Sequence, residues 1–480
     1  MKLMRFSKYF GLNQKQAELD FVDIDVSRDT RLFLDPYSIQ IKDNEFSSRS
    51  ADQIKTYFSA VMEALRANDL DHARYLTSHL SEPRETFLGF SKGQPKGRGV
   101  GRFQADQLLS AFRRSRAFQS GMLSDLAEAE LFIDGISSDK ISDLTTNVIR
   151  KSLIEYTQAE CHLHGIQLER AVACAPVWDE VERDWHHGYA PLPIVDGLPV
   201  ILVPKYFVRW RPSLDSQEFY NHHMIEFLRD DLIAKGSSLV RLFKKSKRPF
   251  IAKTTVKERH PFVKDHLAKF ARENPQVLEA YKQIQGAKGA LGTEDMEKDF
   301  DERAFAKSLA AALEKIAPGM RNAGRYHKFI LGCLTFIFYP ELTNPVKEHE
   351  LNQGRKRVDI KFTNAAEIGF FRRMAESANT RSLSVFIECK NYSNDLGNPE
   401  IDQLLARFDL RRGKVGFVLC RTLLDEKLML ERCRDAAKSD QGYVIVLTDA
   451  KVQRILGLIA EAKRDNISTY LFSLLGELTD

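Results

Sequence analysis

The sequence predicts a mixed α/β protein in three parts: an α+β region over residues 1–210, a helical, basic segment with a linker over 211–298, and an α/β domain over 299–480. Three observations carry this reading. "KVGFVLC" and "YVIVL" are unbroken apolar runs, the pattern of parallel strands covered on both faces. "RKRVDIKF" and "LSVFIECK" alternate toward a polar end, the pattern of half-buried strands. Between them and the apolar runs lies "NPEIDQLLARFDL", an amphipathic helix with Asn398 as its cap, Pro399 in its first turn and Ile401, Leu404, Leu405 and Phe408 as its buried stripe.

The elements follow in chain order. Residues 1–210 mix short strands ("FVDIDV", "RLFLDP", "PVILVPKYFVRW") with helical periodicity in "SADQIKTYFSAVMEALRA". Residues 211–290 read helical and charged, and the polar, glycine-containing "QGAKGALGTEDMEKDFDE" reads as a linker. Phe305, Leu309, Leu313 and Ile316 then mark one helix, and Tyr326, Phe329, Ile330, Cys333 and Ile337 a second. "TNPVKEHEL" and "RKRVDIKF" follow as strands around the turn "NQG", then a helical insert, "EIGFFRRMAESA". The strand "LSVFIECK" comes next, so the domain runs helix, three strands, helix, strand, helix, strand, helix.

A chain of 480 residues suggests about three domains. A content of 43% hydrophobic and 29% charged residues is that of an ordinary globular protein, and the net charge of +5 permits an acidic partner. The six cysteines form no CxxC pair, which argues against a zinc knuckle, and Cys333, Cys389 and Cys420 lie in apolar runs, as reduced thiols do. The first residues lack a signal peptide's apolar core, and "FILGCLTFIFY" is too short to cross a bilayer. The expectation is a cytoplasmic protein with no membrane partner.

Chemistry concentrates at the end of "SVFIECK". Residues two apart on a strand share a face, so Glu388 and Lys390 stand side by side. Asp359 shares a face of its own strand with Arg357 and Lys361. If the two strands pair, Asp359 and Glu388 converge on one divalent cation. Mg²⁺, or Mn²⁺ in its place, takes oxygen ligands of this kind, and the backbone carbonyl of Cys389 offers another. Lys390 would orient a water or neutralise charge on a phosphoryl transition state. The plain alternative is a surface ion pair between Glu388 and Lys390, worth ~0–1 kcal/mol.

The "VD" of one strand, the "ECK" ending the next and the helix and strand order around them resemble the PD-(D/E)xK, or restriction-endonuclease-like, nuclease superfamily over about residues 300–460. "IECKNY", "EIDQLLARF" and "KVGFVLCR" are most similar to its Mrr-type branch. The resemblance implies a restriction-endonuclease-like αβββαβ core and a Mg²⁺-dependent endonuclease, a phosphodiester hydrolase acting on nucleic acid, double-stranded DNA in particular, and serving in antiviral defence. It places Asp359, Glu388, Lys390 and Gln403 in the active site. Val358 stands where the family has proline. The first-helix glutamate of the family is missing, which leaves His327, Glu348 or Glu350 to complete the metal site. The rival reading is a catalytically inactive nucleic-acid-binding or assembly protein on a nuclease fold. The first 290 residues would bind, sense or restrain, in a homo-oligomer or with a regulatory partner protein.

Residues 241–260 hold eight Lys/Arg, one Glu and interleaved Phe243 and Phe250. Phosphate neutralisation by such a run releases counterions, which makes Lys244, Lys245, Lys247 and Arg248 candidates for nucleic-acid binding, with Arg407 on the later helix. "SKGQPKGRGVGR" reads as a flexible loop that, if ordered, would hold an anion, without the ending of a Walker loop. Asp134, Asp139 and Asp143 read as caps and turns. His186–His187 and His222–His223 read as structural, since adjacent side chains diverge.

Overall fold

The computed structural model describes residues 4–89, 102–123, 125–242, 248–347, 360–392 and 396–479. Helix and strand are mixed along the chain, and the buried apolar side chains gather into two clusters. One runs from Phe6 to Tyr281 and also takes in Tyr339; the other runs from Phe305 to Leu478 and also takes in Ala17.

The first lobe is built on the helix Glu45–Arg66, whose cap Asn44 accepts from the Ser47 amide at 2.9 Å. Its face of Ile54, Tyr57, Phe58, Val61 and Leu65 is buried in the core. Phe219, Phe270 and Tyr281 join that same cluster, so residues 211–298 have no core of their own. Helices such as Lys264–Glu273 present a single apolar face and must bury it against the preceding chain.

Two expectations fail here for physical reasons. "FVDIDV" makes only isolated bridges, because its carboxylates take backbone amides that a ladder would otherwise use. Asp23 accepts from Ser7 N at 2.8 Å, and Asp25 from Ser27 N at 3.1 Å. Conversely, Glu169–Asp179 and Asp184–Leu192 form a long antiparallel hairpin that the sequence hides. Pro176 and two register shifts break its alternation.

Asp143 is more than a turn residue. It lies within the helix Ser138–Val148, and burial, then Asp139, Glu82 and Asp29, push its carboxyl up to about 8. A raised folded pKa lends stability that is whole below the ordinary carboxylate value and is lost as pH rises through about 8. Asp143→Asn is therefore expected to stabilise the protein at pH 8.5 by at least ~1 kcal/mol and to leave it nearly unchanged at pH 4. Melting curves of the two proteins at both pH values check this.

The second lobe holds a five-stranded sheet in the spatial order Tyr443–Thr448, Val415–Cys420, Ser384–Lys390, Ile360–Asn364, Leu342–Val346. The first three of these are parallel and the last two join antiparallel. Phe338 stacks on Phe417 at 6.0 Å and meets Phe371 edge-on at 5.1 Å, filling the space under one face. On the other face lies the helix Asn398–Leu405. Its cap is Gly397, not Asn398: the Glu400 carboxylate reaches back to the Gly397 amide at 2.9 Å and starts the turn one residue early. A Cβ on Gly416 would stand 2.7 Å from the Phe386 carbonyl oxygen and 3.1 Å from Leu404, so glycine lets this helix approach the sheet closely.

The lobes meet through buried polar chemistry. Lys205, Asp20 and Glu160 of the first lobe are all buried, with the Lys205 ammonium 4.0 Å from the ring centre of Tyr339. Tyr156 donates to Asp20 at 2.9 Å, and His164 Nε2 lies 3.4 Å from Glu160. Burial pushes Lys205 down to about 8 and the two carboxyls up.

Candidate functional site

The strand Ser384–Lys390 is central in the sheet, and apolar neighbours on both sides bury Val385, Phe386 and Ile387 completely. Its C-terminal end carries the charges. The Lys390 ammonium lies 2.6 Å from Glu388 Oε1, with side-chain exposures of 14% and 1%. That burial removes the surface-pair reading, since a weak, water-screened contact requires exposure. Withdrawing a carboxylate and an ammonium from water costs several kcal/mol for each ion, which packing alone does not require.

Neighbouring elements fix this pair. Lys390 Nζ donates to Gln403 Oε1 at 3.3 Å, so the helix held close by Gly416 reaches the strand end. The Lys390 ammonium also stands 5.9 Å from the ring centre of Tyr392. On the opposite face His327 Nε2 lies 3.0 Å from the Cys389 carbonyl oxygen. His327 thus orients a backbone oxygen from the helix Ala323–Phe338 and is placed as its partner.

Asp359, Glu348 and Glu350 lie outside the described residues. The strand Ile360–Asn364 begins one residue after Asp359, and Ile360 pairs with Ile387, the residue before Glu388. The oxygen donors in place, the Glu388 carboxylate and the Cys389 carbonyl, are of the type a hard cation takes. Among the described residues no three His, Cys, Asp or Glu side chains gather as a metal group. The fit to Mg²⁺ therefore rests on two oxygens here and a third from outside the described residues.

The other candidates separate. Arg407 Nε donates to Gln403 O at 3.2 Å, folding back on its own helix. Arg248 is exposed beside the strand Pro249–Phe250, and Ile251 anchors that segment in the first lobe. Lys244, Lys245 and Lys247 lie outside the described residues, as does the loop 91–101.

Two features had no sequence reading. Asn391 is buried and donates to Gly319 O at 2.8 Å, while Gly319 N donates to Asn391 O at 2.8 Å, clamping a loop beside Lys390. Arg421 and Asp449, at the ends of the next two strands, pair at 2.9 Å, and Tyr326 donates to Asp449 at 3.0 Å. Burial pushes Asp449 up to about 6 against the pull of both partners. The signal was present: a polar residue directly after each apolar strand, at the edge where α/β sheets place ligands.

Residues 11–215 match a family described as a domain of unknown function, DUF8370. No curated protein and no solved structure matches the chain. The match covers much of the first lobe and ends before the sheet that carries Glu388.

Proposed function

We propose that the protein is a metal-dependent nuclease hydrolysing phosphodiester bonds of DNA, with its catalytic centre at the end of the Ser384–Lys390 strand. The observation that carries this is the buried Glu388–Lys390 pair, 2.6 Å apart, with Gln403 on the ammonium. Burial of that cost at a strand end is the mark of a site held ready for charge. The helix and strand order agrees with the PD-(D/E)xK resemblance, and the Ile360–Ile387 pairing supports bringing Asp359 near Glu388.

In this reading Asp359, Glu388 and the Cys389 carbonyl hold Mg²⁺. Bound there, it supplies Lewis-acid polarisation of a phosphoryl oxygen. The chain supplies the rest. The Lys390 ammonium faces the scissile phosphate and offsets charge that grows on its oxygens. Gln403 holds that ammonium in place, and His327 fixes the carbonyl behind it. The first lobe restrains the centre, a role suited to a nuclease that defends against foreign DNA.

The same pair favours one rival: Lys390 occupies Glu388 permanently in the cation's stead, and the fold binds nucleic acid without cutting it. Incubation of the purified protein with plasmid and single-stranded DNA, with Mg²⁺ or Mn²⁺ and with EDTA, decides between them. Cation-dependent, EDTA-sensitive cleavage is expected. Intact DNA under every cation, with tight binding, overturns catalysis in favour of the rival.

A further inference from the structure

The two lobes leave a cleft of about 540 Å³ between them. One wall is the start of the helix Glu45–Arg66, with Asp43 and Glu45. The other comprises Lys361, Thr363, Ser384, Arg411 and Arg412. Thr363 pairs with Ser384 and Lys361 with Phe386, so Lys361, Thr363, Ser384, Phe386, Glu388 and Lys390 share one face of two neighbouring strands, and Phe386, between Ser384 and Glu388, is buried beside Phe408. Ser384 and Glu388 are four residues apart, about 13 Å along the strand. The cleft thus lies at one end of that face and the candidate centre at the other, with Phe386 and the helix Asn398–Leu405 between them.

Its two arginines stand on a fixed support. The Asp409 carboxylate accepts from the amides of Arg411 and Arg412, at 2.7 Å each. Ser384 N donates to Arg412 O at 2.8 Å, tying the turn to the strand. At Gly413, φ is +124° and a Cβ would lie 2.5 Å from the Ser382 Cα, so the turn closes only on glycine. Its one ion pair, Arg412 to Asp409 at 3.5 Å, is half exposed and weak.

Resting on the nuclease reading, we propose that this cleft binds the sugar–phosphate backbone of one strand of nucleic acid as an anchoring site apart from the Glu388–Lys390 centre. Guanidinium groups match phosphate oxygens in pairs, and Thr363 and Ser384 add hydroxyl donors. The volume is that of a small-ligand site, of the order a few nucleotides of one strand occupy. Asp43 and Glu45 repel phosphate from the far wall, which holds the backbone on the cationic side and turns the bases toward Asn44 and Ser48.

The test is fluorescence anisotropy with a labelled 15-mer of thymidylate and a matching duplex, in EDTA, across a KCl titration. The proteins are wild type, Arg411→Glu/Arg412→Glu and Asp43→Ala/Glu45→Ala, matched by circular dichroism and melting temperature. The single strand is expected to bind more tightly than the duplex. The arginine reversals should weaken it at least tenfold and lower the log–log salt slope by about 1.4, two phosphate contacts at ~0.7 each. Removing the acidic wall should tighten it. An unchanged slope, duplex binding as tight as single-strand binding, or displacement by a poly-glutamate peptide as readily as by DNA overturns the proposal. Cleavage assays separate the two readings. If the arginine variant cuts with unchanged kcat and KM, the cleft assignment falls and the nuclease stands. If binding behaves as expected and no divalent cation supports cutting, the cleft stands and the nuclease falls.

Discussion

Lys390→Ala is expected to cut DNA about 10²–10³-fold more slowly while holding Mn²⁺ more tightly than wild type. The rate loss is that of one preorganised electrostatic group. The affinity gain follows from the 2.6 Å contact: the ammonium competes with any cation for the Glu388 carboxylate, and its removal frees both the oxygen and the local charge. Without a cation the same variant removes the ammonium 2.6 Å from a buried carboxylate, a loss of about 3–5 kcal/mol. Mn²⁺ should therefore raise its melting temperature more than that of wild type. Glu388→Gln behaves oppositely: it keeps the side-chain volume, loses cleavage and gains no thermal shift from Mn²⁺. Glu388→Ala is a poorer probe, because the site is fully buried and alanine leaves a cavity beside the ammonium. Calorimetric titration with Mn²⁺ and melting curves with and without the ion check both variants. If Lys390→Ala loses Mn²⁺ as completely as Glu388→Gln does, the division of roles between carboxylate and ammonium is wrong.

What was legible in the sequence was whatever repeats with a period or ends a run. The apolar stretches 415–420 and 443–448 are parallel strands, and the amphipathic stretches at 302–314 and 323–338 are helices, because burial imposes those patterns directly. The closeness of Lys390 to Glu388 was legible for the same reason, as strand neighbours two apart must share a face. Its burial was not, because that depends on the helix drawn in by Gly416 and on Gln403 arriving from another element. The polar N-terminal segment misled. An Asp-rich alternation reads as a strand, yet Asp23 and Asp25 bind local amides and end the ladder before it forms. The arginine turn at 409–413 was hidden within a helical pattern, since Asp409 works there as a turn residue and only the chain packed behind Gly413 shows why the helix must stop at Leu405.

Lys205→Ala is expected to cost about 1–3 kcal/mol at pH 7.5, through a different mechanism from the Glu388–Lys390 pair. The ammonium is buried with Asp20 and Glu160 in the first lobe, where its charge lowers both carboxyls without a direct ion pair, and it stands 4.0 Å from the ring centre of Tyr339. Two opposing terms decide the sign. The folded pKa of Lys205 is depressed to about 8, so holding it charged costs stability as pH falls through that value, and alanine lifts this cost. Against that, Asp20 and Glu160 have raised folded pKa values, so their contribution is whole below about pH 4 and drains as pH rises. Without Lys205 only the hydrogen bonds from Tyr156 and the Asn344 backbone still lower Asp20, and at pH 7.5 the fold must either bury both carboxylates without a cation or protonate them. The second term wins because it involves two groups and loses the Tyr339 contact as well. The destabilisation should therefore shrink toward pH 5, where protons replace the ammonium. Lys205→Met combined with Asp20→Asn and Glu160→Gln should recover most of it, since no buried charge then remains. Denaturant melts of wild type, Lys205→Ala and the triple variant at pH 7.5 and pH 5 measure this. A loss of equal size at both pH values, or a triple variant no better than Lys205→Ala, would mean that the lysine acts by packing alone and not by its charge.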